Sequence, residues 1–213
     1  MDLEKTRAKL LEASLRHVPF DGWSQRALMA AAEDLELSPA EAINAFPGGT
    51  AELVEAFHAW ADARMLGRLE KLDLDSMKVR DKVTAGVRFR LEILEPHREA
   101  ERRALAFLAL PTNGPLGLRC LYRTVDAIWY AAGDRATDYN FYSKRMLLAG
   151  VYGSTLLYWL NDQSEDHRET WAFLDRRIAE VLKIGGRLGK TVGRLLDLPD
   201  RLAAFRPRRP SFR

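Results

Sequence analysis

Ser24-Gln-Arg-Ala-Leu-Met-Ala-Ala-Ala-Glu-Asp-Leu-Glu-Leu-Ser-Pro-Ala-Glu-Ala-Ile-Asn-Ala-Phe46 decides the fold of this chain. Ser24 can cap a helix running to about Leu35, because a serine hydroxyl at that place accepts a free backbone N–H of the first turn. Leu28, Ala31, Ala32 and Leu35 recur at helical spacing and predict its inward face. Ser38-Pro39-Ala40-Glu41 is a capping box with proline at the first helical position, a specific start signal. The helix it opens is short, ends near Phe46, and Pro47-Gly48-Gly49 turns the chain. Two short helices joined by a tight turn make a helix-turn-helix.

Outward from this pair the chain reads as helix throughout, with little period-two alternation and no Asn-Gly or Asp-Gly hairpin turn. A first helix covers about Leu3–Val18, and Pro19 is expected to stop it. Thr50 caps a fourth helix with Leu53, Phe57, Trp60 and Ala61 on one stripe. Asp73–Ser76 reads as a linker. Beyond it Val83, Val87, Leu91 and Leu94 form a stripe ended by Pro96, and a short helix follows over about His97–Leu108. Pro115 opens a helix with Leu118, Leu121, Val125, Ile128 and Trp129 inward, stopped at Gly133. Asp138 can cap a long central helix to about Leu160, and Ser164 opens the next, with Trp171, Leu174, Ile178 and Leu182 inward. The expected fold is all-α: a degenerate helix-turn-helix subdomain over 1–72, a helical bundle over 77–184, and a basic amphipathic helix with a flexible tail over 185–213. Such a plan is that of TetR-type proteins.

The 213 residues are 47% apolar and 30% charged, enough for a core and for solubility, and the net charge is only +3. Its distribution says more. Between Phe20 and Phe57 stand seven acids and a single base, Arg26; between Lys183 and Arg213 stand nine bases and two acids. A tail of that sign seeks phosphate, on lipid headgroups or nucleic acid. A recognition helix needs cations or amides to reach bases and phosphates. Pro39–Phe46 offers Glu41 and Asn44 and no base, so a duplex is repelled rather than steered, and no nucleic-acid partner is expected. One cysteine, Cys120, rules out an intrachain disulfide. The first residues carry Asp2 and Glu4 and do not read as a signal or transit peptide. The longest apolar run, Met146–Leu160, is shorter than the roughly 20 residues that span a bilayer.

No catalytic constellation emerges. Glu55-Ala-Phe-His58 has the spacing of a di-iron ligand pair, but such a site needs a second pair facing it. His17, His97 and His167 lack an acid three residues before them, so His58 reads as a surface or interhelix histidine. Gly185-Gly-Arg-Leu-Gly-Lys-Thr191 ends like a phosphate-binding loop, yet Ile184 stands where the motif requires glycine. Cys120 reads as a buried thiol without a base. The expectation is a non-enzyme without metal or cofactor.

Two stretches suggest binding instead. In the last helix Leu188, Val192, Leu195 and Leu196 share one face, with Arg187, Lys190 and Arg194 opposite, the layout of a helix lying in a membrane interface. Four glycines there each weaken the helix by about 1 kcal/mol. The central helix is apolar on every side, which predicts burial all round. It also carries Ala149, Gly150, Gly153 and Ser154, which leave open either a lipid-sized cavity or close helix contact.

Ala109-Leu-Pro-Thr-Asn-Gly-Pro115, Thr124-Val-Asp-Ala-Ile-Trp-Tyr130, Ala132-Gly-Asp134, Thr137-Asp-Tyr-Asn-Phe-Tyr-Ser-Lys-Arg145, Ser154-Thr-Leu-Leu-Tyr-Trp-Leu-Asn-Asp162 and Thr170-Trp-Ala-Phe-Leu-Asp-Arg-Arg177 run in order through most of residues 80–182. In these stretches the chain resembles the ninth coenzyme Q biosynthesis protein family, TetR-like lipid-binding proteins of ubiquinone synthesis. The match around Trp23–Val54 is weaker. The resemblance implies a homodimer that binds an isoprenoid quinone precursor or phospholipid in its bundle and presents it to the di-iron hydroxylase of the pathway. It implies an amphipathic last helix on the membrane surface, and a location in the bacterial cytoplasm beside the inner membrane or, as a mature form, in the mitochondrial matrix. Leu121, Val125, Trp129, Leu148, Val151, Tyr152 and Leu156 are the expected pocket lining. Asp138, Asn140, Phe141 and Tyr142, with Ile128 nearby, are the expected partner patch. Phe141 departs from the family's usual tryptophan, keeping a ring and losing an N–H donor. The basic extension after Phe205 has no family counterpart. The alternative function is a TetR-type repressor sensing a hydrophobic ligand.

Overall fold

A computed structural model describes residues 3–134 and 139–196, with side chains for all of these except Tyr139, Asn140, Leu182 and residues 184–196. Among the described residues the regular structure is entirely helical. The helices are α1 (Leu3–Asp21), α2 (Gln25–Asp34), α3 (Pro39–Ala45), α4 (Gly49–Leu69), α5 (Val79–Leu94), α6 (Arg98–Leu108), α7 (Gly114–Ala131), α8 (Tyr139–Trp159) and α9 (Arg168–Leu196).

The caps of the helix-turn-helix form as their chemistry dictates. The Ser24 hydroxyl accepts the Ala27 N–H at 3.2 Å. Ser38 accepts the Glu41 N–H at 3.3 Å while Glu41 accepts the Ser38 N–H at 2.8 Å, closing the capping box. Pro19 does not stop α1, contrary to the sequence expectation. It lies inside the last turn, where its missing N–H breaks only one bond, and Gly22 at φ +68° ends the helix by donating its N–H to Val18. Thr50 is likewise inside α4, whose first turn is closed by Glu52 accepting the Gly48 N–H at 2.8 Å.

One continuous apolar core joins the helix-turn-helix to the bundle, and α4 runs through it. Leu53, Val54, Phe57, Ala61, Met65 and Leu69 of α4 are all buried. Each leucine or phenylalanine so enclosed contributes about 1.5–3 kcal/mol relative to exposure. The Trp23 indole donates to the Ala100 carbonyl at 2.9 Å, and Arg103 donates to the Pro19 carbonyl at 2.8 Å, so α6 is bonded to α1 and to the connection between α1 and α2 as well. The Asp73–Ser76 linker contains a single 3₁₀ turn, Leu74–Ser76.

Two expectations about the bundle fail. α8 is not buried on every side: Arg145, Leu148, Val151, Tyr152, Leu156 and Trp159 face inward, but Met146 is 76% and Leu157 59% exposed. On α7, Leu118 points outward at 69% exposure, whereas Cys120, Thr124 and Ile128 point in. An apolar side chain reports the tendency to be covered, and these have no cover among the described residues. Ile128, assigned to the partner patch by resemblance, is fully buried beneath α5, where a Cβ at Gly86 would come within 2.9 Å of its Cγ2.

α9 is one unbroken helix across Gly185–Gly193, so the stretch that ends like a phosphate loop is helical. Its start is fixed by Asp162, whose carboxylate accepts the Ser164 N–H at 2.8 Å and the Thr170 N–H at 2.9 Å. Burial pushes the Asp162 carboxyl up, but the bonds from Thr170 and Ser164 outweigh it and hold the group well below the usual carboxylate range.

Candidate functional site

The seam between α7 and α8 does not close. Gly117 and Gly153 put no side chain into it, and a cavity of about 530 Å³ opens there, bounded by the end of α6 as well. Its walls are Leu105, Leu108, Leu121, Leu156 and Leu157. This volume lies in the ordinary range of small-molecule sites. A second cavity of about 250 Å³ lies between α5, α8 and α9 with Trp129 of α7 at its edge, walled by Val83, Trp129, Leu147, Leu148, Val151 and Ile178. The residues expected to line one pocket therefore divide. Leu121, Tyr152 and Leu156 line the larger cavity; Trp129, Leu148 and Val151 line the smaller; Val125 is buried and lines neither.

The larger cavity has a polar floor that sequence reasoning missed. Arg90 of α5 is completely buried there. Its Nε donates to Asp62 at 2.8 Å, one Nη donates to the Tyr152 hydroxyl, and the other donates to His58 Nδ1 at 3.1 Å. Asp62 also accepts from Thr124 at 2.8 Å and from Arg123 at 3.1 Å. A buried charge without such partners would cost several kcal/mol, so the set stands or falls together. Burial lowers the basicity of Arg90, but Tyr152, Asp62 and Glu101 raise it further and keep the guanidinium charged. Burial, then the charges of Arg90 and Arg123, holds His58 well below its ordinary value, so the imidazole is neutral. Glu101, also fully buried, has no hydrogen-bond partner on either carboxylate oxygen; burial pushes it up to about 7 against the pull of Arg90. A signal existed in the sequence: Asp62, Arg90 and Glu101 fall on the inward faces of their own helices.

His58 is thus an interhelix residue, bonded to Arg90 of α5. Glu55 pairs with Arg119 at 3.4 Å instead, and among the described residues no group of three or more His, Cys, Asp or Glu side chains could hold a metal ion. Cys120 lines the same cavity, its thiol pushed up by burial. On α3 Ala40, Ile43 and Asn44 are exposed and no lysine or arginine is present.

Of the expected partner patch, Phe141 and Tyr142 form an edge-on pair with ring centroids 5.1 Å apart. Phe141 lies under the Arg145 guanidinium at 3.3 Å, and Tyr142 is exposed. Asp138 and the Asn140 side chain lie outside the described residues. Arg145 is buried and joins Asp126 at 2.6 Å to Asp134 at 3.2 Å, which binds the start of α8 to the end of α7. Tyr122 and Tyr130 of α7, with Met146 of α8, are further exposed apolar side chains on these two helices. The i, i+4 recurrence of Leu118 and Tyr122, continued at Tyr130, was the signal for that face. The side chains expected to touch membrane, Arg187, Leu188, Lys190, Val192, Arg194, Leu195 and Leu196, lie outside the described side chains, although their backbone is helical. Among the described residues no helix is long and apolar enough to cross a membrane.

Residues 114–185, which hold α7, α8 and much of α9, match the COQ9 family model. The ubiquinone biosynthesis protein COQ9, mitochondrial, of Drosophila melanogaster is 35% identical over 195 residues, which cover 90% of this chain and 60% of that protein. The Rattus norvegicus protein of the same name is 37% identical over 194 residues, 85% of this chain and 60% of the other. The chain thus spans about 60% of the length of these curated relatives. Among solved structures, a TetR transcriptional regulator from Nitrosomonas europaea superposes with a TM-score of 0.69 at 21% identity, over 84% of this chain and 98% of the other. The all-α arrangement described above is therefore TetR-like, and residues 114–185 carry a COQ9 domain within a chain that follows COQ9 proteins in sequence over most of its length.

Proposed function

We propose that this protein is a non-catalytic carrier in ubiquinone biosynthesis that shelters a polyprenylated ring precursor in the α7–α8 seam and presents it to the di-iron hydroxylase of the pathway. The observation that carries the reading is the pair of apolar-walled cavities to which α7 and α8, in the stretch that matches the COQ9 family model, contribute walls. A prenyl tail costs about 0.8 kcal/mol per CH₂ exposed to water, and a seam walled by leucine and valine removes that cost. The exposed Tyr142 and the half-buried Phe141 beside it, with Asp138 and Asn140, are the surface offered to the hydroxylase. Ile128 supports that region from beneath rather than touching the partner. Leu188, Val192, Leu195 and Leu196 would meet the membrane, with Arg187, Lys190 and Arg194 on its headgroups. The working form is a homodimer at a membrane surface, in a bacterial cytoplasm or a mitochondrial matrix. It needs no cofactor; its ligand is the isoprenoid precursor or a phospholipid.

Native mass spectrometry of the full chain tests this reading. The expected result is a dimer carrying an isoprenoid or phospholipid that solvent extraction recovers. A lipid-free protein that also fails to take up added prenylated quinone overturns it. The repressor alternative is favoured only by the fold shared with a TetR regulator, and an α3 without a cation speaks against it. Salt-dependent binding to its own upstream DNA would establish that alternative instead.

A further inference from the structure

The polarity of the larger cavity runs from an apolar rim to a polar floor. Leu157 is exposed at the rim, with Leu105 and Leu121 half-buried beside it, whereas His58, Arg90, Thr124 and Tyr152 at the floor are all buried. A hydrocarbon tail entering first would press against a guanidinium. A molecule entering head first would put its polar end on the floor and leave its tail along leucine.

One atom of the floor is unfinished. Arg90 is occupied by Asp62, Tyr152 and His58, and Asp62 by Arg90, Thr124 and Arg123. His58 Nε2 is buried and has no hydrogen-bond partner. Its chemistry is fixed by its neighbour. A guanidinium only donates, so His58 Nδ1 must accept from Arg90, and in the neutral ring the proton then sits on Nε2. The free nitrogen is therefore a donor. A buried donor left unmatched is costly, and a ligand oxygen would relieve that cost.

We propose that the His58 Nε2–H at the floor of the cavity receives a carbonyl oxygen from the head of an amphiphile that enters head first, its tail lying against Leu105, Leu121, Leu156 and Leu157. The proposal rests on the lipid-carrier reading of this cavity and adds the direction of entry and the group recognised. The ring carbonyl of a quinone and the ester carbonyl of an acyl lipid share this chemistry.

The test uses the full chain, stripped of lipid, titrated with decylubiquinone, with monoolein and with squalene, which has no oxygen. The wild-type protein should prefer one or both carbonyl compounds, and the preferred one names the source. His58→Phe, which keeps a ring and removes the donor, should weaken binding of the preferred compound about tenfold and leave squalene unchanged. His58→Gln, which can accept from Arg90 and donate onward, should restore most of it. Should His58→Phe not fold, the imidazole ¹⁵N signal of His58 in the wild-type protein should shift with decylubiquinone or monoolein and not with squalene. Equal binding of all three compounds, or a His58 signal that ignores them, overturns this inference and leaves the carrier reading intact. Failure of all three to bind overturns both.

Discussion

α7 meets a closed face on one side and an open one on the other. Toward α5 the helices touch through Gly86 and Ile128, where even a methyl group would collide at 2.9 Å. Toward α8 the glycine at 153 faces space: a Cβ there would meet nothing within 4 Å. The same residue type makes tight packing possible in one place and leaves a cavity in the other. What decides is the shape opposite, a branched isoleucine in the first case and recessed leucines in the second. Small residues in a helix therefore do not signal contact or cavity until the facing helix is known.

The largest effect is expected where the two faces share a foundation. Asp62→Ala strands Arg90 in the interior and should cost about 3–5 kcal/mol in urea unfolding. An unchanged midpoint would mean that the floor is not a coupled unit. Next comes Glu101. Its folded value of about 7 lies above its ordinary 4.5, so the folded state binds the proton more tightly. Stability should be greatest below about pH 4.5 and fall as pH rises to about 7, by roughly 3 kcal/mol if no other group compensates. Glu101→Gln should flatten that slope and be the more stable form at pH 8; parallel curves would refute the assignment.

The closed face itself is probed by Gly86→Val, which overpacks Ile128 and should destabilise by about 1–3 kcal/mol. Its counterpart Gly153→Ala should stabilise by about 1 kcal/mol, since alanine favours helix and nothing stands in its way. If both substitutions changed the melting temperature in the same direction, the contrast between the two faces of α7 would be lost. The smallest effect belongs to the surface of the helix-turn-helix. Ser38→Ala removes the capping box and should cost about 1 kcal/mol, measurable by chemical unfolding.

How much of this was legible in the sequence follows from the range of the forces involved. The caps at Ser24 and Ser38 are contacts over three residues, so their spelling sufficed. The helix-turn-helix followed from periodicity for the same reason, whereas the two segments expected on either side of residue 185 are one helix, α9. The end of α1 was misplaced because proline in a last turn is cheap, and Gly22 supplies the actual stop. Leu118 was turned the wrong way because a helix with apolar side chains on two faces has no unique inward stripe. The division of one expected pocket into two, the burial of Ile128, and the floor of His58, Asp62 and Arg90 depend on which helices face each other. No window along the chain contains that information.

The bonds from Trp23 to Ala100 and from Arg103 to Pro19 tie α1 and the turn before α2 onto the bundle, and the helix-turn-helix shares the bundle's interior. Heat that loosens the small N-terminal unit must therefore loosen the seam as well, in one cooperative step. The melting temperature of the helix-turn-helix should therefore also be the temperature up to which the hollow beside it keeps its shape.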